Sequence, residues 1–231
     1  MLNYLSVVNC LTSTDNPANM PEEYIAKQIA KVERCHLEMP LPLISLYQKI
    51  LQCKKCPTMV KSRQLYRYGR PTFGFGDWRS KILIIAQSPG YKGCGTTGYP
   101  FEPYSRTGKL FQEILESAGL SFNSVWTTNL VKCCPEGVNP PTVTAYKNCS
   151  YWLDKEISLI NPLVIIAVGK PAANYVFDRK LFMTRKCFNI PHPGYPLRKP
   201  NLLESYKEEF RNILLKAKSY CSKQSTMEVF L

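Results

Sequence analysis

The chain of 231 residues is long enough for one large domain, or for one domain with an extension. Hydrophobic residues make up 45% of it and charged residues 20%, which is typical of a globular protein. The longest strongly apolar run, Leu163–Val168, is far shorter than the ~20 residues of a membrane-spanning helix, and Met1–Thr12 lacks the positive start of a secretory signal. The composition argues against a disordered, membrane-spanning or secreted protein.

The charge balance favours a polyanionic partner. The chain has 30 Lys and Arg residues against 17 Asp and Glu residues, a formal charge of +13. Such an imbalance destabilises a compact protein by self-repulsion, and nucleic acid is the usual partner that relieves it. A membrane surface, or no partner, is the alternative.

Two helices are predicted in the N-terminal part of the chain. Pro21 and the two acidic residues after it open a helix that runs to about Cys35, because proline and acids favour a first turn. Leu43–Gln52 has apolar residues at helical spacing. We therefore expect an N-terminal helical extension, residues 1–50, ahead of a main domain that spans residues 51–231.

From Lys81 onward, predicted strands alternate with predicted helices. The strands are predicted from apolar, β-branched and aromatic runs: Lys81–Gln87, Ser124–Asn129, Leu163–Val168 and Cys187–Pro191. The helices are predicted from caps and apolar stripes: one capped by Thr107 and ending before Gly119, one capped by Thr142, a short one after Gly169, and one over Asn201–Ser219. This order predicts an α/β fold, a three-layer α/β/α sandwich around a four-stranded parallel sheet.

Polar residues follow the ends of three of these strands. Gln87, with Ser88 and Gly90 beyond it, follows the first strand, Asn129 ends the second, and His192 follows the fourth. Ligands of open parallel sheets bind beyond the carboxyl ends of the strands. Because Gln, Asn and His can read the edge of a base, their convergence favours a binding site over simple turn-forming roles.

The loop between Gly90 and Arg106 carries two further signals. Gly93–Gly98 matches the G-x-G-x-x-G pattern of a dinucleotide site, but no helix follows it and no acid ends the second strand. Tyr99, Phe101 and Tyr104 offer rings on which a base can stack, although core packing is an equal alternative for Tyr99 and Tyr104.

The cysteines favour a metal site. Ten cysteines without a secretory start predict reduced thiols in an intracellular compartment. Cys53 and Cys56 form a C-x-x-C, which suits half of a metal site or a redox pair. No βαβ pattern precedes them, which counts against the redox role.

Seven motifs follow one another between about Leu51 and Arg198: Cys53 with Cys56, Ala86–Gly90, Gly98–Phe101, Thr107–Leu110, Thr128–Pro135 with Cys149 beyond it, Pro162–Gly169, and His192–Arg198. In order and spacing they resemble the iron–sulfur uracil-DNA glycosylases, the thermophile and bacterial branch of the uracil-DNA glycosylase superfamily. Residues 1–45 match no pattern of that family.

The resemblance implies hydrolysis of the bond between uracil and deoxyribose in DNA, after the base has left the stack. It implies that Asn129 pairs with the uracil edge and that Phe101 stacks on the ring. His192 would donate to uracil O2, and Gln87 and Ser88 would supply backbone groups nearby. The remaining implied contacts are Gly90 with the substrate, Leu197 as a wedge in the duplex, and Arg198 and Arg106 with phosphate.

The resemblance also assigns a [4Fe–4S] cluster to Cys53, Cys56, Cys133 and Cys149. By chemistry alone four thiolates suit zinc as well, although the spacing of the second pair is unlike that of a zinc ribbon. Cys134 competes with its neighbour as the third ligand.

The sequence departs from the family at its first motif. Gln87 stands where the family has Glu, and Ser88 stands where cluster-free uracil glycosylases have Asp, so no carboxylate occupies a matching water-activating position. Glu102 is the nearest acid in the loop. The departures leave two alternatives open: a weak or inactive DNA-binding relative, and a glycosylase for another deaminated base. We expect a monomer with access to uracil-containing DNA and no membrane contact.

Overall fold

The computed structural model describes residues 20–228, where one five-stranded sheet has the order β1-β3-β2-β4-β5. The strands are β1 Phe75–Gly76, β2 Ile82–Ala86, β3 Trp126–Asn129, β4 Val164–Val168 and β5 Lys186–Ile190. Strands β2 to β5 run parallel, which confirms the α/β class and the predicted parallel strands. The short β1 is antiparallel to β3 and was not predicted, because two residues carry no periodic signal.

Eight α-helices accompany the sheet within this part of the chain: α1 Glu22–Leu37, α2 Leu41–Leu51, α3 Pro57–Ser62, α4 Cys94–Thr97, α5 Arg106–Ser117, α6 Val143–Ile160, α7 Lys170–Asp178 and α8 Leu203–Glu228. The short α3 and α4 were not predicted. The predicted cap of α5 is wrong: Ser105, and not Thr107, accepts the backbone N–H of Gly108 at 3.0 Å. Thr142 caps α6 as predicted, and it accepts the N–H of Ala145 at 3.1 Å.

Helices cover both faces of the sheet, which confirms the three layers. Alternate residues of β2 point to opposite faces, Ile82 and Ile84 to one and Leu83 and Ile85 to the other. The first face packs against α1, α5 and α8, and the second packs against α2, α6 and α7.

The two N-terminal helices belong to these same cores. Val32 of α1 is buried on the first face, and Leu43 and Ile50 of α2 are buried on the second. The boundary at residue 50 stays a prediction, and Met1–Thr12 lies outside the described residues. None of the helices between residues 20 and 228 combines the length and the hydropathy that a bilayer crossing requires.

Candidate active site

The carboxyl ends of the parallel strands bring the predicted polar residues to one edge of the sheet. Asn129 pairs with Ala86 across β3 and β2, and the carbonyl of Gln87 accepts the N–H of Val131 at 2.9 Å. On the other side of β2, a methyl group added at Gly169 would contact the β-carbon of His192 at 3.5 Å. Gln87, Asn129 and His192 therefore follow strands that end side by side.

Asn129 and Gln87 are held by neighbours from other elements. Asn129 is 4% exposed, and its side chain lies beside the thiol of Cys94 in α4. Gln87 is half-buried, and its side chain lies beside the phenol of Tyr146 in α6. Burial raises the pKa of Tyr146, so this phenol stays protonated at neutral pH. Both amides thus have a neighbour that limits their orientation.

The imidazole of His192 is set up as a neutral donor. Its Nδ1 accepts the backbone N–H of Gly194 at 3.1 Å, which leaves the proton on Nε2. His192 is exposed as a whole residue, but the protein atoms around its ring still desolvate it. This desolvation, followed by the positive charge of Arg198, lowers the pKa of His192 to about 4. At neutral pH the ring is uncharged and can donate from Nε2.

Phe101 lies beside His192 in a backbone conformation that L-residues rarely adopt. Its φ is 45°, and its ring centroid lies 6.0 Å from that of His192 with planes 28° apart. The ring also stacks on Phe111 of α5 at 3.9 Å, with planes 9° apart. Such conformations persist only where the surrounding structure enforces them.

The other predicted contact residues differ in how far they are exposed. Ser88 and Leu197 are half-buried, and Gly90, Arg106 and Arg198 are exposed. A side chain added at Gly90 would meet no heavy atom within 4 Å, so a ligand can approach its backbone closely. Leu197 also packs against the first core, so only part of its side chain is available to a partner.

The nearest loop acid, Glu102, does not face the site. It is 1% exposed, and both of its carboxylate oxygens are occupied. Oε1 accepts the hydroxyl of Tyr24 at 2.5 Å and the N–H of Tyr104 at 3.2 Å, and Oε2 accepts the hydroxyl of Thr97 at 2.5 Å. This carboxylate is therefore not placed to activate water.

The glycine-rich segment is also used internally. Gly93–Gly98 contains α4, and the N–H groups of residues 95–98 donate to backbone carbonyls within the same loop. A side chain at Gly95 would lie 2.5 Å from the sulfur of Cys134. Because its amides already have partners, the segment does not offer the anion cradle of a dinucleotide site.

Four cysteines from three parts of the chain gather at the start of α6. Cys133 lies within electrostatic reach of Cys53 and Cys56, and Cys149 lies within reach of Cys133 and Cys56. Desolvation raises the pKa of Cys133, and it raises that of Cys149 to about 11. In their protonated state these thiols pack with Met59 in a small apolar cluster.

Two side chains donate hydrogen bonds to these sulfurs. Arg63 donates from Nε and Nη2 to Cys133 at 3.4 and 3.3 Å, and from Nη2 to the carbonyl of Cys53 at 2.8 Å. Asn148 donates to the sulfur of Cys56 at 3.2 Å. N–H donors of this kind stabilise ligating thiolates.

Across residues 20–228, no three His, Cys, Asp or Glu side chains close on a point that would hold one metal ion. The donor set nevertheless fits a thiolate-bound group, since four cysteines lie close together and side-chain N–H groups donate to the sulfurs of two of them, Cys133 and Cys56. Cys134 is a poorer candidate than Cys133, because its sulfur lies against Gly95 and Tyr66, outside the small apolar cluster.

Sequence reasoning missed a buried ion pair behind Asn129. Lys132 donates to Glu156 at 2.5 Å and to the hydroxyl of Thr128 at 2.8 Å, and Trp126 donates to the same carboxylate at 2.8 Å. The Lys132 and Glu156 side chains are 2% and 0% exposed. The sequence signal was a glutamate within the apolar stripe of α6, beside Ile157.

Comparison with known proteins agrees with this geometry. The model of the Uracil DNA glycosylase superfamily matches residues 73–217. A Type-4 uracil-DNA glycosylase of Archaeoglobus fulgidus is 28% identical, over 74% of this chain and 91% of that protein. The Type-4 enzyme of Thermotoga maritima is also 28% identical, over 77% and 93%, and a Type-5 uracil-DNA glycosylase of Thermus thermophilus is 27% identical, over 74% and 94%.

The fold and the site together define an α/β protein whose candidate site lies at the carboxyl edge of a parallel sheet. Asn129, His192 and Phe101 all lie within the segment that the family model matches. The chain belongs to the uracil-DNA glycosylase superfamily.

Proposed function

We propose that this protein is a monofunctional uracil-DNA glycosylase, which flips uracil out of DNA and hydrolyses its N-glycosidic bond. The observation that carries the proposal is the neutral imidazole of His192, with its proton on Nε2, on the same strand-end edge as Asn129. Membership of the superfamily and the names of the relatives support it.

The residues at the edge suit the recognition of an extruded uracil. The amide of Asn129 can donate to O4 and accept from N3–H, a pattern that cytosine does not match equally well. Phe101 would stack on the ring, and the backbone at Gln87, Ser88 and Gly90 would line the O2 side. Extrusion costs a few kcal/mol, so single-stranded or mismatched uracil should be the easiest substrate.

Bond cleavage would rest on stabilisation of the leaving base. As the bond between C1′ and N1 breaks, negative charge grows on uracil, and the Nε2–H of His192 can donate to O2. One donor aimed at developing charge is worth ~3–4 kcal/mol. Water adds its oxygen to C1′, and its proton passes to solvent or to the departing base. The carboxylate of Glu102 lies behind the loop and takes no part in this step.

DNA would be held by the charged rim of the site. The chain's net charge of +13 attracts the DNA backbone, and the side chains of Arg198 and Arg106 are exposed. Leu197 would enter the gap that the base leaves. We expect the protein to act as a monomer, in an intracellular compartment that keeps thiols reduced.

The test is base release from oligonucleotides that contain uracil, hypoxanthine or xanthine, single-stranded and paired, followed by alkaline cleavage of abasic sites. We expect uracil release, and a loss of about 10²–10³-fold in single-turnover rate for His192→Gln. Asn129→Ala should also lose rate, while Asn174→Ala, an exposed asparagine on α7, should not. DNA binding without release of any base would support an inactive DNA-binding relative. Preferential release of hypoxanthine or xanthine would support a glycosylase for another deaminated base.

The proposal includes a [4Fe–4S] cluster held by Cys53, Cys56, Cys133 and Cys149. When bound, such a cluster supplies a covalent link between the N-terminal segment, the loop after β3 and helix α6, and zinc is the alternative ion. Support comes from the sulfur donors Arg63 and Asn148.

Metal analysis of protein prepared without oxygen tests the cluster. We expect iron, sulfide and visible absorption in the wild type, with all three lost in Cys53→Ser and kept in Cys134→Ser. Unfolding should become easier in Cys53→Ser, because metal binding is coupled to folding. Stoichiometric zinc in a colourless protein would refute the cluster.

A further inference from the structure

The loop that carries Phe101 is held from behind by a buried carboxylate. Glu102 follows Phe101 directly and is 1% exposed. Its two oxygens accept from Thr97 on one side of Phe101 and from the backbone of Tyr104 on the other. The carboxylate therefore closes the loop across the stacking residue.

The loop is also packed tightly beneath Glu102. A side chain at Gly108, in the first turn of α5, would lie 2.0 Å from the carbonyl oxygen of Glu102. The same carbonyl accepts the N–H and the hydroxyl of Ser105, at 2.9 and 2.8 Å. With its carbonyl and its carboxylate both engaged, Glu102 has little freedom, and this restricts the φ of 45° at Phe101.

Helix α1 supplies the third donor, and it lies outside the segment that matches the family model. The hydroxyl of Tyr24 donates to Glu102 at 2.5 Å, and its ring lies 5.4 Å from that of Tyr104. About two turns further along α1, Lys31 donates to the hydroxyl of Tyr99 at 3.3 Å. Helix α1 thus contacts the loop on both sides of Phe101.

We infer that Glu102 is a positioning residue, and that Tyr24 of helix α1 acts through it to hold Phe101 in place for the flipped base. This inference rests on the proposed glycosylase function. It gives helix α1 a role in the chemistry, although the helix lies outside the segment that the family model matches.

The rate of single-turnover base release and the affinity for DNA distinguish a positioning role from a purely stabilising one. Both are measured at a temperature where every variant is folded. Tyr24→Phe keeps the ring contact with Tyr104 and removes one hydrogen bond. We expect the release rate to fall about fivefold, the equivalent of one ordinary hydrogen bond, with DNA affinity unchanged. In Glu102→Gln, which keeps the shape of the side chain, the release rate should fall by at least as much. Tyr47→Phe on α2 is the matched control, since its hydroxyl makes only a 3.5 Å contact with Tyr68.

A double variant tests whether Tyr24 acts through Glu102. On a Glu102→Ala background, Tyr24→Phe should cause no further loss of rate, because the acceptor is already gone. If Glu102→Ala does not fold, Glu102→Gln takes its place, and the combined loss should be smaller than the product of the two single losses. Wild-type rates in folded Tyr24→Phe and Glu102→Gln, or independent losses in the double variant, would overturn the inference.

Hydrogen exchange distinguishes this failure from a failure of the proposed function. Peptides covering residues 98–108 should exchange faster in Tyr24→Phe than in the wild type or in Tyr47→Phe. Faster exchange in Tyr24→Phe, combined with a wild type that releases no base, would support the role of Tyr24 in holding the loop and would refute the glycosylase activity. Unchanged exchange together with unchanged rates in an active enzyme would remove only the role of Glu102.

Discussion

Two buried carboxylates lie behind the candidate site, one on each face of the sheet, and they are compensated in different ways. Glu156 faces a buried ammonium from Lys132 and an indole N–H from Trp126. Glu102 is surrounded by hydroxyl and backbone donors, and its nearest cation, Lys31, acts only at longer range. The first is a neutral ion pair between α6 and the sheet, and the second is an unpaired charge that ties a loop to α1.

The two carboxylates therefore stabilise different parts of the molecule: Glu156 stabilises the whole fold, and Glu102 stabilises one loop. An ion pair with less than 3% exposure on either side chain fails as a unit, because loss of one partner leaves a bare charge in the core. A carboxylate held by hydroxyl groups loses one modest interaction at a time. Changes at Glu156 should therefore affect the whole protein, and changes near Glu102 should affect mainly the loop.

The largest expected effect is that of Glu156→Gln. The substitution leaves the ammonium of Lys132 buried without a carboxylate, so the free energy of unfolding should fall by about 3–5 kcal/mol. Chemical denaturation measures it. Asp154→Asn on the same helix is the control, because its ion pair with Arg179 is exposed and should be worth less than about 1 kcal/mol. Equal losses at the two positions would show that burial is not what distinguishes these acids.

A smaller effect is expected when both charges are removed. Lys132→Met combined with Glu156→Gln leaves no bare charge, and the glutamine carbonyl can still accept from Trp126. The double variant should recover about 2 kcal/mol of the loss seen in Glu156→Gln. Denaturation of the four proteins in the cycle measures the coupling. A double variant as unstable as the single one would mean that packing, and not the unpaired charge, sets the cost.

The same comparison shows how far sequence reasoning reaches. The parallel strands were predicted because β2 and β4 are continuous apolar runs, and Asn129 and His192 were predicted to lie on one edge because parallel strands end together. Those inferences use only local pattern and topology. The roles assigned to these residues in base recognition remain predictions.

What was missed depends on pairing across long stretches of chain. Tyr24 and Glu102 are 78 residues apart, and nothing local to either predicts that they meet. Glu102 was considered for water activation because it is the nearest acid in the loop, whereas tertiary packing turns its carboxylate inward. The cap at Ser105 was displaced by two residues for a similar reason, since its hydroxyl is positioned by the packed carbonyl of Glu102.

The smallest expected effect is a pH dependence of stability that arises from Glu102. Desolvation raises the pKa of Glu102 above its ordinary value, and its hydrogen bonds offset this only in part. A folded-state pKa above the unfolded one means that the native state binds more protons in that window, so this residue's contribution to stability is lost as pH rises through its folded pKa. The wild type should therefore lose stability relative to Glu102→Gln as pH is raised from about 4.5, the ordinary pKa of a glutamate, towards neutrality. Denaturation of both proteins across that range measures it, and a difference that moves in favour of the wild type would mean that the donors around Glu102 outweigh its desolvation.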